Sequence, residues 1–149
     1  MGLIDLVDEK IIKVPLTSAN KPDTLREMAQ ILKDADEIED LDAVLDALQQ
    51  RESKGSTGIT DAIAIPHCKT PAVTSLKLAI GISPEGIDFD SLDGSPSKLF
   101  FLLAAPPDQS GPHVEALAEI AKLAQSPAMR SALINARDSS EVVNLLKET

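Results

Sequence analysis

The chain has 149 residues, 43% of them hydrophobic and 26% charged, with 24 acids against 14 Lys and Arg for a formal net charge of −10. That surplus disfavours the phosphate backbone of a nucleic acid, which is held by clustered Lys and Arg, and favours partners with a basic face. With three Phe and no Trp or Tyr there are few rings to stack on bases, and no apolar run approaches the roughly 20 residues that span a bilayer.

The expectation is one cytoplasmic domain over residues 1–149, with no nucleic acid partner and no direct membrane insertion. The lone cysteine, Cys68, fits a reducing compartment, and the residues after Met1 do not resemble a signal segment.

In chain order, a strand is expected over Lys10 to Leu16. Leu25, Met28, Ala29 and Leu32 recur at helical spacing behind Asn20, Pro22 and Asp23, predicting a helix over 22–35. Leu41, Val44, Leu45 and Leu48 predict a second helix over 40–50 that ends near Arg51. After Lys54-Gly55-Ser56-Thr57-Gly58, an apolar strand runs to Ile65 and stops on Pro66. Leu76 to Ile82 alternates branched with small residues and reads as a strand, and Gly86 to Gly94 as a turn-rich connection. Leu99 to Ala105 is continuously apolar, as in a strand covered on both faces, and should lie mid-sheet. The last third is helical: Val114, Leu117, Ala118 and Ala121 form a stripe, Ser126-Pro127 restarts a helix, and Asp138 with Glu141 suggests a cap. Strands interleaved with helices imply an α/β fold, a three-layer sandwich in which a mixed, mostly parallel sheet has helices on both faces.

Only two histidines are present, His67 directly after Ile63-Ala64-Ile65-Pro66 and His113 after Ala104-Ala105-Pro106, and both stand where an apolar strand ends. That placement suggests one shared site. A neutral imidazole is a competent nucleophile near pH 7 and can accept a phosphoryl group directly, provided one ring nitrogen is held protonated so that the other presents its lone pair. The negative charge of that group needs donors. His113 at a helix start and Arg51 are the available ones, with backbone N–H groups of Gly55 to Gly58 as a weaker addition.

Glu52-Ser53-Lys54-Gly55-Ser56-Thr57-Gly58-Ile59-Thr60-Asp61-Ala62-Ile63-Ala64-Ile65-Pro66-His67-Cys68 resembles the active-site signature of enzyme IIA domains of the fructose, mannitol and nitrogen-regulatory type, from the bacterial phosphoenolpyruvate:sugar phosphotransferase system. Glu52 stands seven residues before Ile59, and the Ile-Ala-Ile-Pro-His-Cys ending agrees position by position. Arg51, Gly86 to Phe89 with Asp93-Gly94, the Phe101 to Pro106 strand exit, and His113 with Leu117-Ala118 are similar as well. The likeness is weakest before about Asp40, and Thr60 stands where the family usually has Gly or Ala.

The resemblance implies that His67 is phosphorylated, that His113 stabilises the phosphate and that Arg51 is a phosphate ligand. It also implies a phosphohistidine donor on the small carrier protein HPr or its nitrogen-branch paralogue. Two functions then stand side by side: a transfer step to a cysteine on a IIB domain during sugar uptake, and a regulatory module whose contacts with a target protein are switched by phosphorylation. No IIB or IIC segment lies within these residues, which leans toward the regulator.

Other readings of the same residues are plainer. A lone histidine after a strand is commonly structural, and a cation at a helix C-terminus is favourable with no ligand present. No metal and no cofactor is expected, since two histidines fall short of the three protein ligands of a catalytic zinc. A Cys68–His67 pair is disfavoured because neighbours on a strand face opposite sides, leaving Cys68 as a packing residue. Asp88, Asp90 and Asp93 lack the ligand order of a calcium loop and read as turn caps.

Overall fold

A computed structural model describes residues 3–148. Two 3-10 turns, Leu3–Leu6 and Glu9–Ile11, lead into β1 (Ile12–Lys13), α1 (Lys21–Asp34) and α2 (Leu41–Glu52). Then come β2 (Ile63–Ala64), β3 (His67–Lys69), β4 (Lys77–Ile87), β5 (Ser97–Ala105), α3 (Ser110–Ala124), α4 (Pro127–Ile134) and α5 (Ser139–Lys147). The strands form one sheet in the order β1-β4-β5-β2, with β3 also on β5. β1 is parallel to β4, and β2 and β3 are parallel to β5, whereas β4 and β5 are antiparallel. Helices cover both faces, giving the expected three-layer α/β arrangement. Leu99 to Ala105 is buried throughout and lies mid-sheet, with β4 on one side and β2 and β3 on the other.

Local chemistry explains the first two helices. Asn20 accepts from the Asp23 N–H at 2.9 Å and Asp40 from the Ala43 N–H at 3.0 Å, so each helix starts on a side-chain cap. The apolar stripes Leu25-Met28-Ala29-Leu32 and Val44-Leu45-Leu48 are buried. α1 lies tight against the sheet at Gly81, where an added Cβ would come within 2.5 Å of Met28 Sδ and 2.8 Å of Leu16. The small face of β4 therefore belongs to α1, and by alternation Leu78, Ile80 and Ile82 point to the opposite layer. At the far end, Asp138 caps α5 by accepting from Glu141 N–H at 2.9 Å.

Three expectations change. The strand expected over Leu76 to Ile82 continues to Ile87 across an irregularity, because Ile87 pairs with Ser97 at the start of β5; Gly86 and Ile87 therefore belong to β4 rather than to a connection. The strand expected over Lys10 to Leu16 contracts to Ile12–Lys13. Asp8 caps a 3-10 turn ahead of it, and Pro15 has no N–H to extend the ladder. On α3 the buried positions are His113, Ala116 and Ile120, while Val114 is 63% exposed and Ala118 and Ala121 face solvent. Apolarity alone could not rank one alanine above another, and the polar residue on the stripe, His113, was the one turned inward. Helix α3 begins at Ser110, so His113, expected at the helix start, lies within its first turn.

Candidate functional site

The site grows from an interruption in the sheet edge. Between β2 and β3 the chain passes through Ile65-Pro66, and a proline has no N–H to give a ladder. The Ile65 N–H turns to the Thr57 carbonyl at 3.0 Å, and the Pro66 carbonyl accepts from Leu103 N–H at 3.0 Å. That leaves the Ile65 carbonyl for His67, whose Nδ1 lies 2.7 Å from it. A carbonyl only accepts, so Nδ1 carries the proton and Nε2 holds the free lone pair. His67 is thus not beyond the strand, as expected from the sequence, but the first residue of a new strand segment.

His113 meets this ring from α3. The two ring centroids are 5.4 Å apart with planes at 74°, an edge-on approach. The His113 side chain is 4% exposed, and its Nε2 is buried with no hydrogen-bond partner. Burial holds its imidazole below the usual histidine range, and the neighbouring His67 and Lys69 push the same way. The ring is therefore held neutral near pH 7.

Both histidines line an open cleft of about 480 Å³ between α2, β3 and α3, together with Gln50, Arg51, Lys54 and Lys69. The structure thus brings His67, His113 and Arg51 together. Arg51 sits within the last turn of α2, not past it, and its Nη1 donates to the Gly55 carbonyl at 2.9 Å. This contact ties down the loop after α2 and still leaves the guanidinium on the cleft wall. Lys54, Lys69 and Gln50 were not singled out from sequence. Lys69 had a signal: it stands two residues after His67, and once the strand is seen to resume at His67 the two share a face.

The Gly55 to Gly58 loop is not a cradle of free N–H groups. Gly55 N–H donates to the Glu52 carbonyl at 3.1 Å, Thr57 N–H to the Glu52 carboxylate at 3.2 Å, and Gly58 N–H to Ser56 Oγ at 3.0 Å. Glu52 instead anchors the loop. Its buried carboxylate pairs with Lys21 Nζ at 2.8 Å and also accepts from Thr57 Oγ1, and Lys21 lies over the Phe89 ring at 4.8 Å. Gly58 is required by packing, since a Cβ there would meet Ser91 Cα at 2.9 Å. Asp61 and Ala62 take left-handed backbone (φ 59° and 66°), which turns the Ala62 carbonyl to accept from Lys98 and Leu99 at the start of β5.

Cys68 is buried between these residues, and burial pushes its thiol up to about 12, which fits a packing side chain and not a nucleophile. Asp88 and Asp93 cap turns as expected, whereas the Asp90 carboxylate lies 3.7 Å from Lys21 Nζ. Asp88 accepts from Asp90 N–H at 3.1 Å, and hydrogen bonds from the Ser95 side chain, the Ser95 N–H and Ser91 bring Asp93 down to about 2. No helix among the described residues is long and apolar enough to cross a membrane.

Residues 5–149 match the family model described as "Phosphoenolpyruvate-dependent sugar phosphotransferase system, EIIA 2". The chain is 34% identical over 148 residues to a fructose-specific EIIABC component of Bacillus subtilis, covering 99% of this chain but 23% of that longer protein. It is 33% identical over 146 residues to a nitrogen regulatory protein of Bradyrhizobium diazoefficiens, covering 98% of this chain and 95% of that one. Among solved structures, the nitrogen regulatory protein IIA-Ntr of Neisseria meningitidis superposes with a TM-score of 0.89 at 26% identity, over 97% of this chain and 98% of that one. The mannitol enzyme IIA of Escherichia coli, solved in complex with phosphorylated enzyme IIB, shares the fold with a TM-score of 0.81 at 19% identity, over 95% and 97% of the two chains.

Proposed function

Because the chain belongs to the EIIA 2 family of the phosphoenolpyruvate-dependent sugar phosphotransferase system, we propose that it is a single EIIA unit acting as a phosphohistidine carrier, with His67 as acceptor, His113 as its partner and Arg51 as a phosphate ligand. The observation that supports this reading most is the 2.7 Å contact of His67 Nδ1 with the Ile65 carbonyl, which sets the tautomer a nucleophile needs. The donor is a phosphohistidine on an HPr-type carrier protein. His67 Nε2 attacks phosphorus, the donor N–P bond breaks, and its electron pair returns to the donor ring. His67 keeps its Nδ1 proton and becomes a phosphoimidazolium; the donor, entering as a phosphoimidazolium with its other ring nitrogen protonated, leaves as neutral imidazole, and no proton has to move. His113 Nε2, Arg51 and the cleft lysines supply the electrostatic stabilisation that such transfers depend on.

From His67 the group goes either to a IIB domain, as the mannitol complex suggests by analogy, or stays as a charge-bearing mark that changes which protein the cleft binds. Relatives of near-equal length carry both names, a fructose-specific EIIA component and a nitrogen regulatory protein, each 33% identical, so both uses are carried forward. The test is intact mass after incubation with phosphoenolpyruvate, enzyme I and HPr or its nitrogen-branch paralogue. A single acid-labile phosphoryl adduct, absent from His67→Ala, is expected. An adduct that persists in that variant, or none on the native chain with either carrier, contradicts the proposal.

A further inference from the structure

We infer that Lys69 is a ligand of the phosphoryl group on His67, kept ready by Ser110; the inference rests on the reading of His67 as acceptor. His67 and Lys69 are two apart on β3 and project from one face of the edge strand. Ser110 and His113 are three apart on α3 and share a face of that helix. The two elements are joined by two rungs: the His67 and His113 rings at 5.4 Å, and Lys69 Nζ donating to Ser110 Oγ at 2.8 Å. The rungs are one strand repeat apart, about 7 Å, and the four-carbon lysine stem with its rotatable ammonium spans that distance.

What holds Lys69 in place is weak. Ser110 offers a neutral hydroxyl at an exposed position, and among the described residues Lys69 is in no ion pair, whereas Lys13, Lys21 and Lys77 each pair with a carboxylate. A phosphoryl dianion on Nε2 is a much stronger acceptor for an ammonium than a hydroxyl is. The cleft supplies no competing carboxylate, since its lining is His67, His113, Arg51, Lys54 and Lys69 with neutral residues. Arg51, by contrast, already spends one nitrogen on Gly55. Lys69 therefore gives up only a neutral hydrogen bond when charge arrives, and it stands on the same strand as His67, whereas Arg51 approaches from α2.

The experiment separates a phosphoryl ligand from a docking contact by using two donors. One is the phosphorylated HPr-type carrier. The other is phosphoramidate, which needs no protein surface: its P–N bond breaks, ammonia leaves, and the Nε2–P bond forms. Native chain, Lys69→Met, Lys69→Arg and Ser110→Ala are followed by intact mass, with circular dichroism to confirm folding. Lys69→Met should slow phosphorylation about tenfold with both donors, Lys69→Arg should restore most of the rate, and Ser110→Ala should stay within about twofold of native. A slowing by Lys69→Met with the carrier alone would make Lys69 a docking residue and overturn the inference. So would equal rates for Lys69→Met and native chain, or failure of Lys69→Arg to rescue. If the native chain takes no phosphoryl group from either donor, the acceptor role of His67 itself falls and this inference goes with it.

Discussion

At His67 and His113 two identical side chains are prepared for different work by their surroundings. His67 gives one nitrogen to the Ile65 carbonyl and keeps the other open to the cleft, whereas His113 is enclosed with Nε2 unpartnered. Burial, then His67 and Lys69, hold His113 below the ordinary histidine value of 6.5. The sign follows: between 6.5 and the lower folded value the unfolded chain binds a proton that the folded chain refuses, so stability is lost as pH falls through that window. Denaturant unfolding at pH 7.0 and 5.5 should show this loss, and His113→Gln should reduce it; an unchanged slope would contradict the burial argument. Both histidines could be found from sequence because each follows an apolar strand and a proline. The tautomer of His67 could not, because it depends on a backbone kink that frees one carbonyl. Lys69 was missed for the same reason, since the resumption of the strand at His67 depends on pairing with β5 and not on residues nearby in sequence.

At the scale of elements, the link between β1 and α1 is fastened by a single buried carboxylate. Glu27 accepts from the N–H and hydroxyl groups of Thr17 and Ser18 and pairs with Lys13 Nζ at 2.7 Å. Burial alone would raise its pKa, but the Lys13 contact and the hydrogen bonds from Ser18 and Thr17 outweigh it and bring the carboxyl down from 4.5 to about 2. A depressed carboxylate stabilises the fold above its unfolded pKa, and this contribution is lost as pH falls from about 4.5 toward 2. Glu27→Gln should cost about 2–3 kcal/mol at pH 7 and flatten the stability profile across that acid window, as measured by chemical denaturation. No change at pH 7 would show that the network contributes nothing net. The helices α1 and α2 were legible because caps and apolar spacing agree within each segment. The end of β4 and the inward face of α3 were not, because Ile87 is a strand residue only through Ser97, and Ala116 is core only through residues distant in sequence such as Leu3, Leu6 and Leu76.

Over the whole molecule, a chain of net charge −10 keeps three cations, Arg51, Lys54 and Lys69, on the wall of one cleft. Under the proposed carrier function, the long-range field would attract a donor with a basic face, while the local one would favour the arriving phosphoryl group. Surface steering is screened at high salt and contacts inside the cleft much less. Transfer from the phosphocarrier should therefore slow as NaCl rises from 0.05 to 0.5 M, by roughly tenfold, while phosphorylation by phosphoramidate should change little; equal salt dependence with both donors would rule out steering. The position of the phosphoryl group is the most direct test of the acceptor reading. Protein labelled with 15N at histidine and phosphorylated through the carrier should show the one-bond 31P–15N coupling at His67 Nε2, with Nδ1 still protonated. A coupling at Nδ1, or on His113, would mean that the hydrogen bond to Ile65 does not select the nucleophile.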